Sequence, residues 1–256
     1  MSKLSDLIRH ATRAEPAPIG FATSAHKPAA TMLLVALAGD HPARAAAEAV
    51  SAGVDAVLLT GRPNEKDLKE AVAAAQGKPC GAEAAADQLE VLRSAGIDFA
   101  VLDLQAQASA LQEEELALVL RLREELTDFQ LRALEALSFD ALYLERDAGA
   151  PTILHYIEFQ RAGGLARKPL LLPVRQPLPQ QELLSLRDAG VVLLGVDFGE
   201  RGAADTPRRL REAIAALPRR KPRKRGESAI SLLKLGSTPP AEEEEDEDED
   251  EEPNEE

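Results

Sequence analysis

AGVDAVLLT at Ala52–Thr60 returns three times along the chain with little change, as AGIDFAVLD at Ala95–Asp103, LSFDALYLE at Leu137–Glu145 and AGVVLLGVD at Ala189–Asp197. Each copy follows a helical pattern of apolar residues, such as Leu89, Leu92 and Ile97 before and within the second. It then turns through Gly or Ser into a short aliphatic strand. Successive copies begin 43, 42 and 52 residues apart, which is about two strand–helix units each, so a further strand is expected ahead of every copy. Four segments answer that expectation: MLLVALA (Met32–Ala38), PCGAE (Pro79–Glu83), LALVLRL (Leu116–Leu122) and PLLLPV (Pro169–Val174).

Eight strands result, with helices expected near 42–52, 65–76, 84–95, 127–137, 151–163, 179–189 and 205–217. The connection from Gln105 to Glu115 is too short for a full helix. Strands alternating with helices pair in parallel through right-handed crossovers, and eight of them in about 190 residues fit a small (β/α)8 barrel. An open doubly wound sheet satisfies the same alternation, but fourfold internal similarity favours closure. Ahead of the barrel, Ser2 to Ala14 reads as a helix with Leu4, Leu7 and Ile8 on one side, placed to cap the N-terminal end. The strand-like IGFA at Ile19–Ala22 either continues that cap or joins the sheet.

Composition agrees with one large domain. The chain has 256 residues, 45% of them apolar but only 3% aromatic and none tryptophan, so its core must be packed from Ala, Val, Leu and Ile. One cysteine, Cys80, leaves no disulfide within the chain, and no apolar run reads as a signal peptide or a bilayer span, so a cytoplasmic protein is expected. The net charge of −14 divides equally. Residues 1–217 carry 23 Lys and Arg against 30 Asp and Glu, and residues 218–256 carry 7 against 14. That second segment runs from a basic stretch (Arg219–Arg225) through a short apolar patch (Ala229–Leu235) to almost unbroken acid (Glu242–Glu256). Such like-charge blocks repel and have little to bury, so they are expected to be disordered. The expected organisation is a cap at 1–30, a barrel at 31–217 and a charged tail at 218–256 that contacts a protein partner or folds back. The acidic balance and the lack of interleaved aromatics argue against nucleic acid.

Strand alternation sends one parity to the helices and the other to the barrel interior. In the repeats, Val57/Leu59, Ala100/Leu102, Leu142/Leu144 and Leu194/Val196 are uniformly aliphatic and face the helices. The opposite parity ends in Thr60, Asp103, Glu145 and Asp197, which are expected to form one ring at the C-terminal mouth, where barrel enzymes build their sites. The other strands add Glu83, Arg121, Arg123 and Arg175 to the inward set. Asp103, Glu145 and Asp197 are the candidate acid–base residues. Arg121 and Arg175 are candidate anion anchors, with Glu83, Thr60 and Arg123 completing a substrate-binding surface.

The same residues permit a structural reading in which Asp103–Arg121, Arg121–Glu145 and Arg175–Asp197 neutralise one another across neighbouring strands. A hard divalent cation on Asp103, Glu145 and Asp197 has suitable ligands, but the arginines would repel it, so no metal is assigned. Nothing in the chain identifies a cofactor. Lesser candidates have ordinary explanations. His41, before Pro42, suits a helix cap as well as a general base, Arg62-Pro63-Asn64 suits a loop and cap, His155 suits a surface or packing position, and Cys80 suits an inert buried thiol.

The repeated A-G-x-D strand entry resembles that of the phosphate-binding (β/α)8 barrels of histidine and tryptophan biosynthesis, over Ala45 to Leu217 and at the level of the fold. That resemblance implies phosphate held by glycine-rich loops after the seventh and eighth strands. Here Val174-Arg175-Gln176-Pro177 replaces the first loop and the second holds only Gly199 and Gly202, so Arg175 or Arg201 would take over the anion. Two functions follow as expectations. One is a lyase or isomerase acting on a small carboxylated or phosphorylated metabolite. The other is a non-catalytic barrel whose tail recruits partners. Deleting residues 219–256 is expected to leave the melting temperature within a few degrees of the full chain, and a fall of many degrees would make the tail part of the fold.

Overall fold

The computed structural model describes residues 2–13, 32–145, 151–198 and 205–218. The chain clusters into one unit, Met1–Arg220, and a second, Lys221–Glu256, that lies outside the described residues together with the charged tail. The IGFA segment and the Gly199–Gly202 loop, with Arg201, lie outside them too. Eight strands, β1 Leu33–Ala38, β2 Ala56–Leu59, β3 Cys80–Glu83, β4 Phe99–Asp103, β5 Ala117–Leu122, β6 Ala141–Leu144, β7 Leu170–Val174 and β8 Val191–Asp197, pair in parallel in chain order. β8 returns to β1, so the sheet is a closed barrel and not an open doubly wound one.

Helix α1 (Lys3–Thr12) precedes the barrel; α2 (Pro42–Ser51), α3 (Glu65–Ala74), α4 (Leu89–Ser94), α5 (Asp128–Ala133), α6 (Ile153–Ala166), α7 (Gln180–Asp188) and α8 (Asp205–Ala215) surround it. The β4–β5 connection holds only a 3-10 turn at Ala108–Gln112, as its length dictates. The expected helices at 84–95 and 127–137 are each divided into an α-helical and a 3-10 part.

Alternation along the strands divides the apolar residues into two cores. Leu34, Val57, Ala100, Leu118, Leu142 and Leu194 belong to the shell between barrel and helices. Val35, Leu58, Phe99, Val119, Tyr143 and Leu193 fill the interior. Gly81 faces the Phe99 ring so closely that a Cβ there would lie 2.2 Å from it, so the aromatic ring occupies space that any other residue at position 81 would need.

Register fixes the heights of the inward residues. The line of paired residues from Leu33 through Leu193, Leu171, Tyr143 and Arg121 meets β4 at Asp103. From Leu37 through Leu58 and Gly81 it meets β4 at Phe99. The four-residue gap on β4 and the four between Leu33 and Leu37 give a shear of eight. Each interior layer is therefore made by four alternate strands.

The Asp of the repeat has a structural task at the foot of the barrel. Asp55 accepts the Leu34 amide at 2.8 Å while its own amide donates to the Leu34 carbonyl, also at 2.8 Å. Asp140 does the same for Leu118, at 3.0 and 2.8 Å. Each carboxylate thus closes the ladder at the start of the neighbouring strand, where an orphan amide would otherwise be costly. Asp55 also receives Arg211 of α8 at 2.7 Å. Asp98 instead binds α1, accepting the Lys3 and Leu4 amides at 2.8 and 2.9 Å and the Ser2 hydroxyl at 2.7 Å. A carboxylate thereby caps the positive end of that helix. Ser5 adds a bond to Asp140 at 2.7 Å. Leu4, Ile8 and Ala11 then join the interior cluster from below, with Leu4 and Ile8 each contributing about 1.5–3 kcal/mol through burial.

In the fourth copy Val192 replaces the Asp. There the β7–β8 register is irregular, Val192 and Leu193 both packing inward.

Replacing Asp98 with Ala removes three acceptor contacts at once and is expected to lower the unfolding free energy by about 2 kcal/mol. Denaturant melts superposing on those of the unaltered chain would show that the carboxylate does not hold α1.

Candidate functional site

At the C-terminal end of the barrel, three successive interior layers follow from the register. Leu58, Val101, Tyr143 and Gly195 make the lowest. Leu37, Glu83, Arg121 and Pro173 lie above them, and Thr60, Asp103, Glu145 and Asp197 above those. Arg123 and Arg175, each just past its strand, rise one layer higher. The floor of this mouth is polar. Arg121 is only 4% exposed, and its guanidinium forms an ion pair with Glu83, lies 3.6 Å from Glu145 through Nε, and sits over the Tyr143 ring at 5.3 Å. Glu145 Oε2 in turn receives Arg123 Nε at 2.6 Å. Four charges therefore alternate in sign from the interior to the rim: Glu83, Arg121, Glu145 and Arg123.

Of the neighbouring-strand pairs expected from sequence, Arg121–Glu145 forms, at 3.6 Å, while Asp103–Arg121 and Arg175–Asp197 do not. Asp103 is the direct register partner of Arg121, yet the guanidinium passes over β4 to Glu83 on β3. The reason is the layering: Glu83 and Arg121 belong to strands of the same parity and share a height, while Asp103 stands one level above. Asp103 is half-buried and makes no ion pair within 4 Å among the described residues. Arg175 is exposed and forms no pair with Asp197. Asp197 is exposed, and Thr60 is half-buried.

Tyr143, two residues before Glu145 and so on the same inward parity, has no task in the sequence reading. The signal was available, because an Arg and a Tyr facing inward on adjacent strands stack readily. Burial pushes the Tyr143 phenol up to about 12, so it stays a neutral donor at any physiological pH. Hydrogen bonding to Glu145 is the main cause holding Arg123 above the ordinary arginine value, aided by the charges of Glu145, Asp103 and Glu83.

The lesser candidates take ordinary places. His41 occupies the N-cap of α2 in a left-handed conformation with φ 53°, and its side chain makes no capping bond. Asn64 caps α3 through the Asp67 amide. His155 closes a capping box at the start of α6 by accepting the Thr152 amide on Nδ1 at 3.0 Å, and it stacks on Phe159. Cys80 faces the helical shell, and burial pushes its thiol up to about 12, which makes it a poor nucleophile. A cleft of about 360 Å³ between the upper ends of β5 and β6 and helices α5 and α6 opens beside Arg123 and Glu145. Among the described residues no three His, Cys, Asp or Glu side chains gather closely enough to hold a metal ion, and no helix is long and apolar enough to cross a membrane.

The fold defines a class. The chain is a (β/α)8 barrel, similar over about 70% of its length to solved structures that differ widely from it in sequence. A mutant tryptophan synthase alpha-subunit from the hyperthermophile Pyrococcus furiosus superposes with a TM-score of 0.56 at 12% identity, covering 70% of this chain and 98% of that one. 3-Hexulose-6-phosphate synthase gives 0.54 at 17%, with 71% and 99% covered, and KGPDC from Streptococcus mutans gives 0.58 at 10%, with 72% and 97% covered. No family model and no curated protein matches the chain. At these identities the likeness is one of fold.

Replacing Arg121 with Met leaves Glu83 facing an apolar layer and is expected to cost about 3–5 kcal/mol in denaturant unfolding. The Arg121→Met, Glu83→Gln pair is expected to recover most of that loss. Equal costs for the single and double variants would show that the two charges do not depend on each other.

Proposed function

We propose that this barrel is an enzyme of the lyase or isomerase type, acting in the cytoplasm on a small carboxylated or phosphorylated metabolite at its C-terminal mouth. The observation that carries this reading is the position of Asp103. It is an inward, half-buried carboxylate, one layer above a floor whose own charges are already matched, with no ion pair of its own among the described residues. A carboxylate spent on a salt bridge is poorly placed to take a proton, whereas Asp103 is available to a ligand resting on the floor. Asp197 in the same layer is the further acid–base candidate, whereas Glu145, the third one read from the sequence, is held by Arg123 at 2.6 Å and lies 3.6 Å from Arg121. Thr60 offers a hydroxyl opposite them, and arginines at the rim supply positive charge for the anion. Two of the similar structures, the hexulose phosphate synthase and a thiamine phosphate pyrophosphorylase from Pyrococcus furiosus, carry phosphorylated compounds in their names, which supports an anionic ligand.

The Glu83–Arg121 pair over Tyr143 favours a second reading. A neutralised plug is also what an inert scaffold needs, with the charged tail then serving to recruit partners.

Small molecules released from the purified full chain and identified by mass spectrometry separate the two. A phosphorylated or carboxylated metabolite is expected from the unaltered protein, and its loss is expected from the Asp103→Asn, Asp197→Asn double variant. Once the substrate is in hand, Asp103→Asn alone is expected to lower kcat by about 10²–10⁴. Equal retention of the metabolite by the double variant, or none by the unaltered chain, would favour the scaffold.

A further inference from the structure

The floor of the mouth and its rim hold arginines of different standing. Arg121 is buried, paired with Glu83 and stacked on Tyr143, so an incoming anion would have to expel Glu83 to reach it. Arg123 is 58% exposed and meets Glu145 through Nε at 2.6 Å. Arg175 is exposed and has no ion pair among the described residues. Extending the register one residue past β5 and β7 puts Arg123 and Arg175 at one height, flanking the end of β6 with Glu145 one level below. Two strand spacings separate their backbones by roughly 10 Å, a gap that two arginine stems span readily around one phosphate or carboxylate.

From this geometry we infer that the anionic group of the ligand is clamped between Arg123 and Arg175, and that Glu145 is the counter-ion it displaces. This rests on the reading that the mouth takes an anionic ligand. The displaced carboxylate has a destination. Arg121 Nε is buried without a hydrogen-bond partner and lies 3.6 Å from the same Glu145 oxygen that Arg123 now holds at 2.6 Å. A shift of about 0.7 Å brings that oxygen within hydrogen-bond distance of Arg121 Nε, so the carboxylate keeps a guanidinium partner as the ligand takes up Arg123. Glu145 therefore acts as a positioning residue that keeps Arg123 in place when the site is empty.

Isothermal titration of the full chain with inorganic phosphate, and separately with malonate, tests the clamp without needing turnover. Arg123→Met and Arg175→Met are each expected to weaken binding by about tenfold or more, with melting temperatures unchanged because both side chains are exposed. Arg123→Lys, which keeps charge but loses the fork, should fall between. Glu145→Gln is expected to tighten binding severalfold, because the anion no longer competes with a carboxylate. Unaltered affinity in either Met variant, weaker binding in Glu145→Gln, or no binding of either probe by the unaltered protein would overturn the clamp. The functional reading fails separately. A metabolite that depends on Asp103 without phosphate or malonate binding sinks the clamp alone, and probe binding at the two arginines without any retained metabolite sinks the proposed chemistry alone.

Discussion

Closing eight short parallel strands with a shear of eight leaves an interior only wide enough for four inward side chains at each level. Every residue on the inward parity must then be tolerated by three others drawn from alternate strands. Low in the barrel the constraint is met by shape, with Phe99 lying over Gly81 and α1 filling the open end with Leu4, Ile8 and Ala11. Higher up it is met by charge. An arginine at 4% exposure cannot be left unmatched, so Glu83 and Glu145 are drawn to Arg121 from either side and Tyr143 turns its ring beneath it.

That matching divides the mouth into a part that holds itself together and a part that remains available. Glu83 and Arg121 belong to the first. Asp103, Arg175 and the outer face of Arg123 belong to the second, and Glu145 sits between, shared by an inner and an outer guanidinium. A site built this way presents cationic nitrogens at the rim and carboxylates just inside it, an order suited to a ligand whose anion stays near solvent while its reacting carbon points inward. The foot of the barrel obeys a different economy. Asp55, Asp98 and Asp140 are carboxylates like those of the mouth, yet each is consumed by backbone amides and cap contacts. The Asp that recurs at the fourth position of three of the four repeats is therefore a structural one.

The architecture was legible because two periodicities agree. Helical spacing ahead of each repeat and strict alternation within it left little choice but eight βα units, and the Gln105–Glu115 connection was visibly too short for a full helix, its 3-10 turn being found only in the structure. Parity was legible for the same reason, since leucines at 118, 120 and 122 have no use except against helices. The ion-pair partners were legible only in part, Arg121–Glu145 forming as its neighbouring strands suggested. Reading neighbouring strands suggested Asp103 for Arg121, whereas closure made Glu83, two strands away, the nearer carboxylate at that height. His155 shows the same limit on a smaller scale, because a capping box depends on how Thr152 enters α6 and not on the histidine itself.

The sequence by itself determined that these residues form a (β/α)8 barrel and which side chains face its axis, because periodicity is a local property and inward parity follows from it. Only the tertiary structure decided which of the inward charges meet, since contact across the interior depends on the shear of the closed sheet, a quantity set by the register of all eight strands together and by no segment alone.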